Sequence, residues 1–196
     1  MKKRLRIEYF LVAAVMLLLF VGSIAATNFF FQKEMVAQQE TYLRRKNTLL
    51  TDQLPPSVFE KGQLTNQQQL LVTHALDDAE ERVTLLQKNG TVFFDSSQNE
   101  PLESHKKRPE IAAVLSGATY GSALRKSKTL NKELLYVATP VLKSGEIVGI
   151  IRISEQTALF SKNIQSFRRY IIFTFGILFL LITLFIFLLL RDRKST

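Results

Sequence analysis

The sequence has no cysteine and only two histidines in 196 residues. Without cysteine there are no disulfides and no thiol redox chemistry, which suits a domain exposed outside a cell that does not rely on disulfides. His74 and His105 stand far apart, and neither has a ligating partner at helical spacing, so no metal cluster is legible. Ser96 and Ser116 lack both a recognisable base and the elbow of a serine nucleophile. Catalytic, cofactor-binding and metal-ligating residues are therefore expected to be none. From Gln32 to Leu54 there is neither proline nor glycine, so nothing in that stretch breaks a helix before Pro55-Pro56.

Two long apolar runs dominate what is present. Phe10 to Phe31 carries no charge, and Tyr170 to Leu190 is more apolar still. At ~1.5 Å per residue each reaches about 30 Å, the thickness of a bilayer core. A cleavable leader is the rival for the first run, since Ser23-Ile24-Ala25 resembles a small-residue cut site. The run exceeds the roughly 7–15 apolar residues of a leader and continues through Phe29-Phe30-Phe31, which favours an uncleaved anchor.

The net charge of +9 is distributed accordingly. Lys2, Lys3, Arg4 and Arg6 precede the first run, and Arg191, Arg193 and Lys194 follow the second. Residues 32–169 hold 19 basic and 15 acidic side chains, a mild +4. A basic excess that flanks membrane spans gives no ground for nucleic-acid binding. Four basic residues before the first span favour a cytoplasmic amino terminus. The expected layout is a cytoplasmic segment 1–9, span 10–31, extracytoplasmic domain 32–169, span 170–190 and cytoplasmic residues 191–196. Both termini then lie inside a cell membrane crossed twice, with membrane lipid as a standing partner.

Periodicity organises the segment between the spans. Met35, Tyr42 and Leu49 are seven apart, as are Val36, Leu43 and Leu50, which predicts a helix of five or six turns beyond the first span. Packing on the chain's own sheet and a two-chain coiled coil are both open for these stripes. A second helix is expected over 66–81, within which Asp77, Asp78, Glu80 and Glu81 read as a solvated acidic face. Strand 82–86, the turn signal Asn89-Gly90 and strand 91–94 form a hairpin. Pro109 fits the first turn of a short helix, PEIAAVLSG, with Glu110 near its positive end and Gly117 just past its close. Strands are expected over 118–126, 133–142 and 147–154, the last two joined by Lys143-Ser144-Gly145-Glu146. Leu159, Ile164 and Phe167 lie on a helical stripe within 156–169 that leads into the second span without a breaker. The fold class is α+β: two transmembrane helices flanking a domain with a five-stranded antiparallel sheet, a long N-terminal helix, and helices packed on one side of the sheet.

Three stretches carry a likeness to a known family: RVTLLQKNGTVFFDS at 82–96, HKKRPEIAAVLSG at 105–117 and LLYVATPVLKSGEIVGIIRISEQ at 134–156. In that order, between two spans, they resemble the extracytoplasmic PAS-like or single-Cache-like sensor of Gram-positive phosphate-regulon histidine kinases. The likeness covers essentially the whole chain. In that family a HAMP linker, a phospho-accepting histidine and an ATP-binding domain follow the second span. Here neither histidine lies in an acceptor motif, and no Gly-rich nucleotide lid is found, so no catalytic activity is expected from this chain itself. It reads as the input part of a kinase, a truncated gene product, or a stand-alone accessory protein.

The PAS-like likeness implies a pocket between the sheet and the loops around the short helix. Candidate ligand groups there are His105, Lys107, Arg108, Tyr120, Arg125 and Tyr136: arginine forks and lysine charges for an anion, tyrosines to wall it. Solvated basic loops and half-buried core tyrosines are the alternative reading of the same residues. The leading functional expectation is a two-component sensory input module, working as a homodimer through a helix seam of Met35, Tyr42, Leu49, Leu159, Ile164 and Phe167. It would respond to an extracytoplasmic ligand or envelope component not identifiable from sequence. The competing expectation is a kinase-independent membrane protein whose outer domain binds a protein or envelope polymer.

Overall fold

The computed structural model describes residues 2–76, 81–97, 104–127 and 131–192, with side chains given for 10–76, 81–97, 104–127, 131–157, 169–186 and 188 of these. The chain divides into two compact units: Met1–Met35 with Phe160–Thr196, and Val36–Leu159.

The first unit contains the two apolar helical segments. Helix α1 runs unbroken over Lys2–Gln53, and α5 over Thr157–Asp192. Each includes a stretch long and apolar enough to cross a membrane, with none of it buried in the protein. This is consistent with a two-pass topology. Ser23, Thr174 and Thr183 donate their hydroxyl protons back to the carbonyls of Phe20, Tyr170 and Phe179 at 2.8, 2.9 and 2.7 Å. Self-bonding of this kind lets a hydroxyl sit in hydrocarbon without an unpaired donor. Phe20 and Phe179 stack with ring centres 5.3 Å apart, so the two spans touch.

The second unit is an α+β domain. After α1 come α2 (Pro56–Lys61) and α3 (Asn66–His74), then β1 (Arg82–Gln87), β2 (Val92–Asp95), α4 (Pro109–Leu115), β3 (Gly121–Lys126), β4 (Glu133–Lys143) and β5 (Glu146–Gln156). All strand pairs are antiparallel, in the order β2-β1-β5-β4-β3, which puts the last strand at the centre. The β1–β2 hairpin closes with Gly90 N–H on the Gln87 carbonyl at 2.9 Å and Gly90 at φ 85°. The β4–β5 turn puts Ser144 at φ 52° and Gly145 at φ 84°, the left-handed pair that matches strand twist.

Several expectations shift. Proline at 55–56 ends α1, but Pro56 also starts α2, because a first-turn proline loses no intrahelical bond. Helix α3 stops at His74 and so is shorter than 66–81; Asp77, Asp78 and Glu80 lie outside the described residues. Glu81 is not on a solvated face. It is buried and meets Lys46 of α1 at 2.5 Å. The third strand begins at Gly121 rather than at Ala118.

Helices also cover both sides of the sheet instead of one. On the first face, Leu43, Leu50 and Leu54 near the end of α1, Val58 and Phe59 of α2 and Val72 of α3 pack on Val83, Leu85, Leu135, Val137, Ile151 and Ile153. On the second face, Ile111 and Val114 of α4 pack on Leu86, Ala138 and Ile150. Glycines set both close approaches: a Cβ on Gly149 would lie 2.3 Å from the Phe59 ring, and one on Gly121 would lie 2.1 Å from the Glu110 carbonyl oxygen.

Candidate functional site

Strand alternation places two different materials on the two faces of the sheet. The residues that alternate with Val83, Leu85, Ile151 and Ile153 are Arg82, Thr84, Arg152 and Ser154, and register sets Thr84 beside both Asp95 and Arg152. Tyr136 of β4 lies opposite Ser154 on one side and Ala123 of β3 on the other. The upper part of the second face is thus polar, and α4 brings one more charge to it.

Glu110, the second residue of α4, is fully buried. Its Oε1 accepts from Arg125 Nη2 at 2.9 Å and from Arg152 Nη1 at 3.3 Å. Arg152 Nη2 donates to Thr84 Oγ1 at 2.9 Å, and Thr84 donates to Asp95 Oδ2 at 2.9 Å. Arg82 grips the same carboxylate with a fork, Nε to Oδ1 at 2.7 Å and Nη2 to Oδ2 at 2.8 Å. Both guanidiniums that hold Glu110 also contact the Tyr136 ring, with Arg125 Cζ 3.7 Å and Arg152 Cζ 5.1 Å from its centre.

Burial and these partners move the titrations. Burial alone would push the Glu110 carboxyl up, but the Arg125 hydrogen bond, a backbone hydrogen bond and the charges of Arg125 and Arg152 together hold it below its ordinary value. Burial lowers Arg152 to about 10, with Glu110 opposing, so it stays charged at neutral pH. His105, buried beside this network, is lowered to about 4 by burial and by the charges of Arg152, Arg108 and Arg82, against a smaller pull from Asp95. It is therefore neutral at physiological pH.

The structure brings Arg125 and Tyr136 to this face beside Arg152 and Glu110, and His105 near enough to feel the charges of Arg152, Arg108 and Arg82. Lys107 lies exposed in the turn before α4, and Arg108 occupies the N-cap position of α4 with its side chain half-buried. Tyr120 does not join them. It packs against the first face, where Arg44 Cζ of α1 stands 5.0 Å from its ring centre and its hydroxyl bonds Glu40, which raises its pKa. Of the seam residues, Met35 is half-buried while Tyr42 and Leu49 are exposed; the side chains of Leu159, Ile164 and Phe167 lie outside the described residues.

Sequence reading missed Arg152, Thr84, Arg82, Asp95 and the buried role of Glu110. A signal for Arg152 existed: one arginine among Ile147, Val148, Ile150, Ile151 and Ile153 is a lone charge in a strand otherwise built for burial. A separate open groove of about 620 Å3, lined by Tyr42, Arg45, Lys46, Leu49, Leu71 and His74 among others, runs between α1 and α3, away from this network. Among the described residues no group of three acidic, histidine or cysteine side chains is placed to hold a metal ion.

Chemically, the second face is a guanidinium site. Planar forks beside an aromatic wall suit a carboxylate or phosphate. Arg82, Arg125 and Arg152 pair there with two carboxylates, Asp95 and Glu110.

Comparison with known proteins bears on the same domain. The family model described as Single Cache-like matches residues 53–156. No curated protein matches the sequence. Among solved structures, the Vibrio cholerae histidine kinase DctB sensor domain superposes with a TM-score of 0.55 at 18% identity, covering 70% of this chain and 56% of that one. The Escherichia coli DcuS sensor domain gives a TM-score of 0.50 at 13% identity, covering 67% of this chain and 98% of that one. An extracellular ligand binding receptor from Desulfohalobium retbaense gives 0.50 at 10% identity, covering 65% of this chain and 25% of that one. At these identities the likeness is one of fold, and the chain spans only about half of the DctB sensor domain.

Proposed function

The chain belongs to the single Cache-like family, and on that premise we propose that it is the membrane-bound sensory input module of a two-component sensor histidine kinase of the phosphate-regulon type. Its domain faces outward, both termini are cytoplasmic, and it works as a homodimer through the Met35, Tyr42 and Leu49 side of α1 together with Leu159, Ile164 and Phe167 of α5. The signal, an anionic ligand or envelope component, enters at the second face of the sheet. Arg125 and Tyr136 are its recognition groups, Lys107 and Arg108 guide it by charge, and His105 lines the inner wall. Tyr120, on the opposite face, acts on α1 instead of on a ligand.

The observation that carries this reading is the position of β5. The central strand holds Arg152 on the second face and, three residues on, Glu155, which accepts a hydrogen bond from Gln39 of α1. It then passes directly into α5. A change in what Arg152 binds thereby reaches both helices that lead to the membrane. Only a ligand with different affinity for two arrangements of these helices can shift their populations.

The test is an in-frame fusion of residues 1–192 to the HAMP linker and kinase core of a sensor kinase, with autophosphorylation measured in membrane vesicles. Arg125→Ala is expected to change the steady-state phosphorylation several-fold. Equal activity in the unsubstituted fusion, in Arg125→Ala and in a fusion deleted for 36–156 would overturn the reading.

A further inference from the structure

We propose that the second face of the sheet is a carboxylate-binding site that the chain fills from within: Glu110 is the bound carboxylate of the Arg125–Arg152 pair, and an external carboxylate enters only by taking its place. The biological meaning rests on this face being the input surface; the chemistry stands on the geometry of the site alone.

Three features of the site point this way. Arg125 and Arg152 come from β3 and β5, strands separated by β4; their guanidiniums lie over the Tyr136 ring, and the carboxylate of Glu110 bridges them. Glu110 reaches that position from a helix of only seven residues, pressed on the sheet through the gap left by Gly121. It is thus tethered by the backbone and not free to choose its orientation.

The fit is correspondingly incomplete. Both arginines bond the same oxygen, Oε1, while Oε2, Arg125 Nε and Arg152 Nε are buried without a protein partner. His105 Nδ1 and Ser154 Oγ are likewise without one. A free carboxylate can lie side-on to a guanidinium and use Nε and Nη together, the geometry that the tether denies to Glu110. The site therefore favours a carboxylate and holds its own one imperfectly, which makes exchange feasible and couples it to movement of α4.

Chemical rescue tests this in the full 1–196 chain in non-ionic detergent, with unfolding followed by tyrosine emission, which no tryptophan obscures. Glu110→Ala leaves the buried Arg152 and the half-buried Arg125 without their shared carboxylate and is expected to lower the thermal midpoint by about 10 °C. Acetate supplies the deleted atoms and is expected to restore most of that loss saturably, half-maximal on the order of 10 mM for so small a ligand. Sodium chloride at equal ionic strength and neutral acetamide are expected to restore none of it. The unsubstituted chain and Glu110→Gln, in which the space is already filled, are expected to show no specific response to acetate. The response should also disappear in Glu110→Ala combined with Arg125→Ala.

If Glu110→Ala moves no further with acetate than with chloride, or if Glu110→Gln responds as strongly, the proposal fails. Should Glu110→Ala lose its fold in chloride, recovery of folded protein from acetate supports the proposal, and recovery from neither overturns it. Because the readout is stability and not phosphorylation, failure here leaves the sensory reading to its own test.

Discussion

The two faces of one sheet are built on opposite principles. On the first face, α1, α2 and α3 meet the strands through a continuous cluster of leucine, valine, isoleucine and phenylalanine. Its buried polar groups are few: Asn47 donates its amide to the Val137 carbonyl at 2.9 Å, Lys46 pairs with Glu81, Glu155 accepts from Gln39, and Thr139 is buried on β4. On the second face, a short helix covers a small apolar patch, and beside it run two ion pairs through Glu110 and one through Asp95. Burial of apolar area stabilises at about 25 cal/mol per Å2, whereas a buried ion network roughly breaks even against its desolvation. The contrast fits the proposed roles, in which the first face holds the domain together and the second gives up stability for recognition.

The sharpest way to break that contrast is to damage each face in kind. Phe59→Ala removes a fully buried ring that packs edge-to-face on Phe93 at 5.7 Å. It is expected to cost about 3–5 kcal/mol in denaturant unfolding, with no change in pH dependence. Replacing the second-face cluster as a unit, with Glu110→Leu, Arg125→Met and Arg152→Met together, is expected to be neutral or to stabilise by about 1–4 kcal/mol while abolishing the response of the kinase fusion. A triple variant as unstable as Phe59→Ala would show that both faces are structural.

A smaller effect separates the faces by pH. His105 has its folded value lowered to about 4 from 6.5, so as pH falls the unfolded chain takes up this proton first. The stability linked to neutral His105 is complete above about pH 6.5 and is lost as pH falls toward 4. Glu110, held below its ordinary value, adds a loss of the same sign at lower pH. The groups acting on His105 are Arg152, Arg108 and Arg82, with Asp95 opposing them, and all of these but Arg108 belong to the second-face network. Thermal midpoints from about pH 7 to about pH 4.5 should therefore fall steeply in the unsubstituted chain and more gently in His105→Gln. Parallel slopes would remove His105 from the network.

The difference between the faces also explains what could be read in advance. Local signals were sufficient for most elements: Asn89-Gly90 and Ser144-Gly145 place two hairpins, Pro109 and Gly117 bracket α4, and the β-branched run 147–153 is a strand. The sevenfold spacing gave two stripes, and only the sheet decides between them: Leu43 and Leu50 are buried in the core while Tyr42 and Leu49 are exposed. The site was less legible because its chemistry is non-local. His105, Arg125 and Tyr136 stood out as polar groups near one loop, yet Glu110 reads as an ordinary first-turn acid until register brings Arg152 beneath it. Tyr120 is adjacent to Gly121 in sequence but lies on the other face, an outcome that local pattern did not fix.

The outward stripe of α1 offers the smallest perturbation and the most direct test of pairing. Leu49 is 60% exposed and follows Tyr42 by seven residues on the same side of the helix. The chain has no cysteine, so single cysteines report without background. Leu49→Cys should change stability by no more than about 0.5 kcal/mol, as surface substitutions do. If α1 pairs with a second copy along Met35, Tyr42 and Leu49, mild oxidation in membranes will cross-link Leu49→Cys and Tyr42→Cys into dimers. Thr48→Cys, also exposed but about 120° round the helix, will stay monomeric. Equal cross-linking at Thr48 and Leu49 would indicate random collision, and none at Leu49 would mean that the stripe meets something other than its own copy. Either result would detach the dimer from the sensory reading and leave the second face to carry it.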